Sequence, residues 1–231
     1  MNKKNMTHPS VIIQTENLCK VFRNGTSHIE AASHVNISIK QGEFSAIVGP
    51  SGSGKTTLLN LIGGLTAPSS GKILIGGKDI GEMKDKELVE FRLHNIGFIF
   101  QSFNLIPVLT VEENISFIME LQGMEKSKRM QRTNELLELI GLKDRAQSRP
   151  STLSGGQKQR VAVARALASK PLFVLADEPT ASLDTKAAGK LLDTMQLLNE
   201  REHTTFLFST HDPRVTERAR RIITIEDGRI I

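Results

Sequence analysis

The sequence predicts an α/β fold: a mostly parallel sheet, preceded by an antiparallel β subdomain and interrupted by an α-helical insert. Three observations predict it. Strand-length apolar runs, Phe44–Val48, Ile96–Phe100, Leu172–Ala176 and Thr205–Ser209, are interspersed with helical segments, as a parallel sheet requires. The first forty residues instead alternate apolar and polar side chains, as at Val35, Ile37 and Ile39, the pattern of half-buried antiparallel strands. From Ser102 to Ser154 the pattern turns helical.

Each element arises from local signals. Gln41-Gly42-Glu43 turns the chain into Phe44–Val48, apolar enough to be buried on both faces. A glycine-rich loop then opens a helix carrying Leu58, Leu59, Leu61, Ile62 and Leu65. Pro68-Ser69-Ser70-Gly71 closes that unit, and Lys72–Ile80 reads as a short hairpin about Gly76-Gly77. In the insert, Thr110 and Glu113 form a capping box ahead of Ile115, Ile118 and Met119. Leu136, Leu137, Leu139 and Ile140 recur at helical spacing, and Gly141 comes next as the C′ residue. After Ser154 come a helix to Ala168, the strand Leu172–Ala176, a helix from about Lys186 to Asn199, and the strand Thr205–Ser209. A hairpin through Glu226-Asp227-Gly228 ends the chain. The expected division is one domain, with a core and antiparallel subdomain over 1–100 and 155–231, and a helical subdomain over 101–154.

Composition narrows the function. At 231 residues, with 39% hydrophobic and 24% charged, the chain can bury a core but contains no apolar run near the ~20 residues of a membrane span. Any membrane task therefore falls to another chain. Met1–His8, with Lys3 and Lys4, leads into no apolar stretch of the secretory type. A single cysteine, Cys19, excludes an internal disulfide and a cysteine zinc site, and reads as a small buried strand residue in a reducing, cytoplasmic compartment. The net charge of +5 is scattered, and with no Trp or Tyr for base stacking no nucleic-acid partner is expected.

The chemistry is concentrated in a few short segments. Gly49-Pro50-Ser51-Gly52-Ser53-Gly54-Lys55-Thr56 fits G-x-x-x-x-G-K-S/T between an expected buried strand and a helix. Glycines let backbone N–H groups turn in around phosphate oxygens, the helix N-terminus adds its dipole, Lys55 supplies a point charge, and the Thr56 hydroxyl suits Mg²⁺. The bland alternative is a glycine-rich turn with no ligand. Leu172–Ala176 ends in Asp177 and Glu178, at the strand edge where open α/β sheets bind ligands. Asp177 suits Mg²⁺ and Glu178 an attacking water, against the alternative of two solvated acids before Pro179. Leu153-Ser154-Gly155-Gly156-Gln157 begins a helix whose amides can grip a phosphate, and His211 comes directly after a buried strand.

Together with Gln101 at the end of Ile96–Phe100, this set resembles the nucleotide-binding domain of ATP-binding-cassette transporters, a P-loop NTPase fold, over nearly the whole chain. The resemblance implies a Walker A loop at Gly49–Thr56, a Q-loop at Gln101, a signature motif at Leu153–Gln157 and a Walker B strand at Phe173–Asp177. It also implies a D-loop at Ala181-Ser182-Leu183-Asp184 and a switch histidine at His211. By the same resemblance Glu178, His211, Lys55 and Gln101 are catalytic, and Mg²⁺ is held by Thr56, Gln101 and Asp177. ATP is bound by Phe22, Gly49, Pro50, Ser51, Gly52, Ser53, Gly54, Lys55, Thr56 and Thr57 of one copy, and by Ser154, Gly155, Gly156 and Gln157 of a second. Phe22 is the implied adenine platform, unless it is a core strand residue. Phe100–Pro107 and Leu109–Asn114 resemble the lipoprotein-release and macrolide-exporter group. That resemblance implies an ATPase that dimerises on ATP, drives a separate membrane permease through the insert around Gln101–Asn114, and lies peripherally on the inner face of the cell membrane. Its rivals are a soluble non-transport cassette ATPase and a nucleotide-dependent scaffold without turnover.

Overall fold

The computed structural model describes residues 10–24 and 27–231; the N-terminal segment holding Met1–His8 lies outside the described residues. The described residues open with three strands, β1 (Val11–Asn24), β2 (Ser27–Val35) and β3 (Ser38–Lys40). Next come β4 (Phe44–Val48), α1 (Lys55–Ile62), β5 (Ser70–Ile75), β6 (Lys78–Asp79), α2 (Asp85–Asn95) and β7 (Ile96–Ile99). The insert contributes α3 (Val111–Leu121) and α4 (Lys126–Leu139). The chain finishes with α5 (Gly155–Ala168), β8 (Phe173–Asp177), α6 (Thr185–Glu202), β9 (Thr205–Ser209), α7 (Pro213–Thr216), β10 (Arg221–Glu226) and β11 (Arg229–Ile230).

These strands form two sheets. The antiparallel sheet runs β2-β1-β5-β6, with β3 also on β1. The second runs β11-β10-β4-β9-β8-β7, parallel throughout except for the final hairpin strand. Parallel strands put their C-terminal ends on one edge, so Gly49, Glu178 and Thr210, which come after β4, β8 and β9, all emerge there.

Why the parallel strands read as unbroken apolar runs is plain from their packing. On one face Phe44, Val174, Phe206 and Phe208 join a core with α3, α4, α5 and α6, and the Phe44 ring lies 4.7 Å from Phe208. On the other, Ile47, Phe173, Leu175 and Leu207 pack with α1 and the antiparallel sheet, against Leu58, Leu61, Ile62, Ile39 and Ile75. A strand covered on both faces gains from apolar side chains at every position.

The antiparallel alternation also holds, with Val35, Ile37 and Ile39 all buried, and Cys19 is a buried free thiol in β1. Thr110 accepts from Glu113 N at 3.2 Å while Glu113 accepts from Thr110 N at 2.7 Å, so the expected capping box is formed. Gly141 has φ +64, as the end of α4 requires.

Four expectations need correction. Leu65 is not part of α1: the helix stops at Ile62, Gly64 turns left-handed at φ 62, and Leu65 is 44% exposed. Ser70-Gly71 does not close a unit but starts β5. The strand expected at Leu172–Ala176 is displaced by one residue to Phe173–Asp177, with Leu172 left exposed at its mouth. Helix α2 is absent from the expected elements, because its apolar residues are spread around the helix and none is buried, so no 3.6-residue period shows. No helix among the described residues is long and apolar enough to cross a membrane.

Candidate functional site

The phosphate loop, Gly49–Gly54, is wedged against the C-terminal hairpin and β2. A Cβ on Gly49 would stand 2.1 Å from the Ile225 carbonyl oxygen, and one on Gly54 would stand 2.2 Å from that of Ala31. Gly54 also has φ +103, so only glycine fits both the conformation and the space. Gly228 N donates to Ser53 O at 3.0 Å, which ties the last turn of the chain to the loop.

Lys55 begins α1 and is 8% exposed. Its ammonium donates to the Gly49 and Pro50 carbonyls, both at 2.8 Å, so the head is fixed over the loop with one N–H left over. The buried Ser53 Oγ has no hydrogen-bond partner among the described residues. An inward-turned loop with a spare ammonium proton and an orphaned hydroxyl suits phosphate oxygens.

One residue on, Thr56 Oγ1 donates to Asp177 Oδ1 at 3.0 Å, across 121 positions of sequence. This is a hydroxyl–carboxylate oxygen pair of the kind Mg²⁺ takes, direct or through water, alongside substrate phosphates. Among the described residues there is no group of three or more His, Cys, Asp or Glu that could hold a metal ion.

Beside this pair stands Glu178. Its backbone is left-handed at φ 45, and its N–H donates to Ser209 O at 2.8 Å. Its carboxylate accepts from Thr210 Oγ1 at 3.2 Å and meets His211 Nδ1 at 2.7 Å. The acid is largely covered, with 14% of its side chain exposed against 70% for His211.

Behind the histidine, Arg214 grips both oxygens of Asp212 at 2.7–3.0 Å, and Thr180 donates to Oδ2 at 2.5 Å. The Arg214 hydrogen bonds lower the Asp212 pKa to about 2, burial opposes them, and the Thr180 bond assists. The same pairing raises Arg214. This knot ties the segment just after Glu178 to the one just after His211.

The remaining expected residues each have a defined place. Phe22 lies in β1 and is 44% exposed, so it is not a core residue, and Lys20 Nζ sits 5.1 Å from its ring centroid. Gln101 is exposed in the turn after β7, one strand over from Asp177, and no hydrogen bond joins it to Thr56 or Asp177. Ser154 caps α5, accepting from Gln157 N at 3.3 Å while Gln157 Oε1 accepts from Ser154 N at 2.9 Å. That capping box could have been read from the Ser-x-x-Gln spacing. Ser154, Gly156 and Gln157 share a shallow cavity of about 180 Å³ with Arg160, Lys186 and Lys190, a cationic rim with Asp184 as its acid. Gly156 must be small there, since a Cβ would come 2.9 Å from that of Ala187. Among the described residues no hydrogen bond joins 154–157 to 49–56.

A phosphate loop after one parallel strand, with an acid pair ending the strand two places away, defines a P-loop nucleoside triphosphatase. Comparison with known proteins narrows the class. The family described as ABC transporter matches residues 32–181. YvrO, an uncharacterised ABC transporter ATP-binding protein of Bacillus subtilis, is 45% identical over 220 residues, covering 95% of this chain and 96% of YvrO. The lipoprotein-releasing system ATP-binding protein LolD of Legionella pneumophila is 41% identical over 218 residues, covering 94% of this chain and 96% of LolD. Among solved structures, the dimeric post-hydrolysis state of the cassette MJ0796 of Methanocaldococcus jannaschii, bound to ADP and Pi, matches with a TM-score of 0.88 at 41% identity, over 95% of this chain and 96% of that one. The chain belongs to the ABC transporter family, as one of its ATP-binding, ATP-hydrolysing cassettes.

Proposed function

We propose that this chain powers a membrane transporter of the lipoprotein-release or macrolide-export type, as one half of an ATP-closed homodimer held by a separate permease at the inner face of the membrane. The observation that carries it is the meeting of the Thr56–Asp177 and Glu178–His211 pairs beside the phosphate loop. ATP phosphates lie in Gly49–Thr57 with Lys55 over them, and adenine stacks on the exposed Phe22 ring. Thr56, Asp177 and Gln101 would hold Mg²⁺, which would supply neutralisation of the phosphate charge. Glu178 takes a proton from the attacking water, and His211, oriented by that carboxylate, faces the γ-phosphate.

The signature residues 154–157 make no bond to the loop of their own chain, and their cavity is rimmed by three cations. They suit the γ-phosphate held by a second copy, as the solved ADP and Pi dimer of the similar cassette supports. The division into a core over 1–100 and 155–231 and a helical subdomain over 101–154 carries this arrangement, with the signature motif at the junction of the two.

A permease contact is supported by an apolar groove of about 360 Å³ that includes Val89, Leu93, Phe98, Phe100 and Ile118. Its lining comes from α2, β7 and Phe100, Ile118 of α3 and the end of α5, so it adjoins the Gln101–Asn114 segment without including it. The test is co-expression with the membrane protein encoded by the neighbouring gene. The chain is expected to co-purify with it in detergent, and Leu93→Glu to release it while leaving ATP hydrolysis by the free chain intact. A neighbouring gene that encodes no membrane protein, or co-purification indifferent to Leu93→Glu and Ile118→Lys, rejects the transport reading of this groove.

A further inference from the structure

Two residues beyond Gln101, Phe103 and Asn104 are consecutive non-glycine residues with left-handed backbones, at φ 60 and 48. Asparagine visits this region readily, but a bulky phenylalanine there is costly and persists only when its surroundings impose it. The local bonds are few: Phe103 N donates to Phe100 O at 3.3 Å and Asn104 N to Ser102 O at 2.6 Å. The stronger hold comes from α5. Arg165 donates through Nη1 to Asn104 O at 2.6 Å and through Nη2 to Phe103 O at 3.1 Å. Six residues earlier on the same helix, the fully buried Gln159 reaches Phe100 O at 3.4 Å through Nε2.

Arg165 is an unusual choice for this place. Burial lowers its pKa, and among the described residues no carboxylate lies within ion-pair distance of it. An apolar residue would fill the floor of the groove without the desolvation cost of an unpaired guanidinium. What an apolar residue cannot do is hold two adjacent carbonyls in one planar fork.

We propose that Arg165 is a positioning residue: its guanidinium locks the strained Phe103-Asn104 turn onto the helix that begins at the signature motif, and so aims Gln101 at the nucleotide site. The proposal rests on the reading of Gln101 as a Mg²⁺ ligand. Without the fork the turn relaxes to ordinary backbone angles, and Gln101 swings with it.

The test is ATP hydrolysis by the purified chain over a range of free Mg²⁺, with ATP binding measured separately in EDTA. Arg165→Lys keeps the charge but loses the fork. It is expected to lower kcat about tenfold or more and to raise the Mg²⁺ midpoint several-fold, with ATP affinity within about twofold of the parent. Adding Asn104→Gly, which adopts the left-handed turn freely, is expected to restore part of both. Should Arg165→Lys fail to fold, Asn104→Val leaves the guanidinium untouched, makes the turn costlier and carries the same expectation. A lower melting temperature with unchanged kcat and Mg²⁺ midpoint means a purely structural residue and overturns the proposal. Gln101→Ala separates the two layers. If it leaves the Mg²⁺ midpoint unmoved, the reading of Gln101 falls and the clamp loses its target. If it moves the midpoint and Arg165→Lys does not, the clamp alone falls.

Discussion

Nδ1 of His211 lies 2.7 Å from Oε1 of Glu178, 33 residues earlier in the chain. A carboxylate oxygen can only accept, so Nδ1 carries the proton in this contact and Nε2 is left unprotonated. The second oxygen of Glu178 is held by the Thr210 hydroxyl, and its backbone is pinned to β9 in a left-handed conformation. These bonds join the acid and the histidine into one unit.

Glu178→Gln tests the acid. The carboxamide keeps the shape but is a very poor base, so hydrolysis should fall by ~10²–10⁴. ATP is then expected to trap a dimer near twice the 25.5 kDa chain mass, measured by size-exclusion chromatography with light scattering. Adding Ser154→Arg should return it to monomer by blocking the signature contact in trans. A Glu178→Gln protein that stays monomeric in saturating ATP removes the shared site, and one that hydrolyses at the parent rate removes Glu178 from catalysis.

Lys55→Ala should abolish ATP binding, measured by calorimetry. It deletes the phosphate-facing cation and also leaves the Gly49 and Pro50 carbonyls without their donor, so the loop loses its internal brace. Parent affinity in this variant would contradict the placement of the phosphates.

Phe22→Ala should weaken ATP binding by ~1–3 kcal/mol, and Phe22→Tyr should change it little, since both rings offer a stacking face. Because Phe22 is 44% exposed, the alanine variant is expected to keep its thermal stability. Normal ATP affinity in Phe22→Ala assigns adenine to another surface.

Asp212 predicts a pH dependence. Its carboxyl is lowered from 3.8 to about 2, chiefly by the Arg214 hydrogen bonds. A depressed acid stabilises the fold above its ordinary pKa, and that contribution disappears as pH falls through the lowered value. At neutral pH it is worth about 2 kcal/mol. Urea unfolding of Asp212→Asn should show that deficit at pH 7, shrinking as pH drops from about 4 toward 2. A deficit constant over that interval would show that the Arg214 pairing does not act through charge.

The local sequence determined a great deal in this chain. Strands buried on both faces favour apolar side chains with only small polar ones such as Ser45, Thr205 and Ser209 between them, so Phe44–Val48 and Thr205–Ser209 could be bounded to the residue. A phosphate loop needs glycines and a lysine at fixed spacing, so Gly49–Thr56 announced its chemistry, and the Thr110 and Gly141 caps work within a few residues of chain. Tertiary structure decided the rest. Helix α2 has no fully buried residue and only partly covers Leu88 and Phe91, so its formation left no periodic trace. The Thr56–Asp177, Glu178–His211 and Asp212–Thr180 bonds join residues 121, 33 and 32 positions apart, and nothing in a linear pattern states which polar groups will meet. The Arg165 fork is the extreme case, because its partners are backbone carbonyls, which every sequence supplies at every position. Which carbonyls it holds depends on how α5 packs against the turn after β7, and that is fixed only when the whole core has closed.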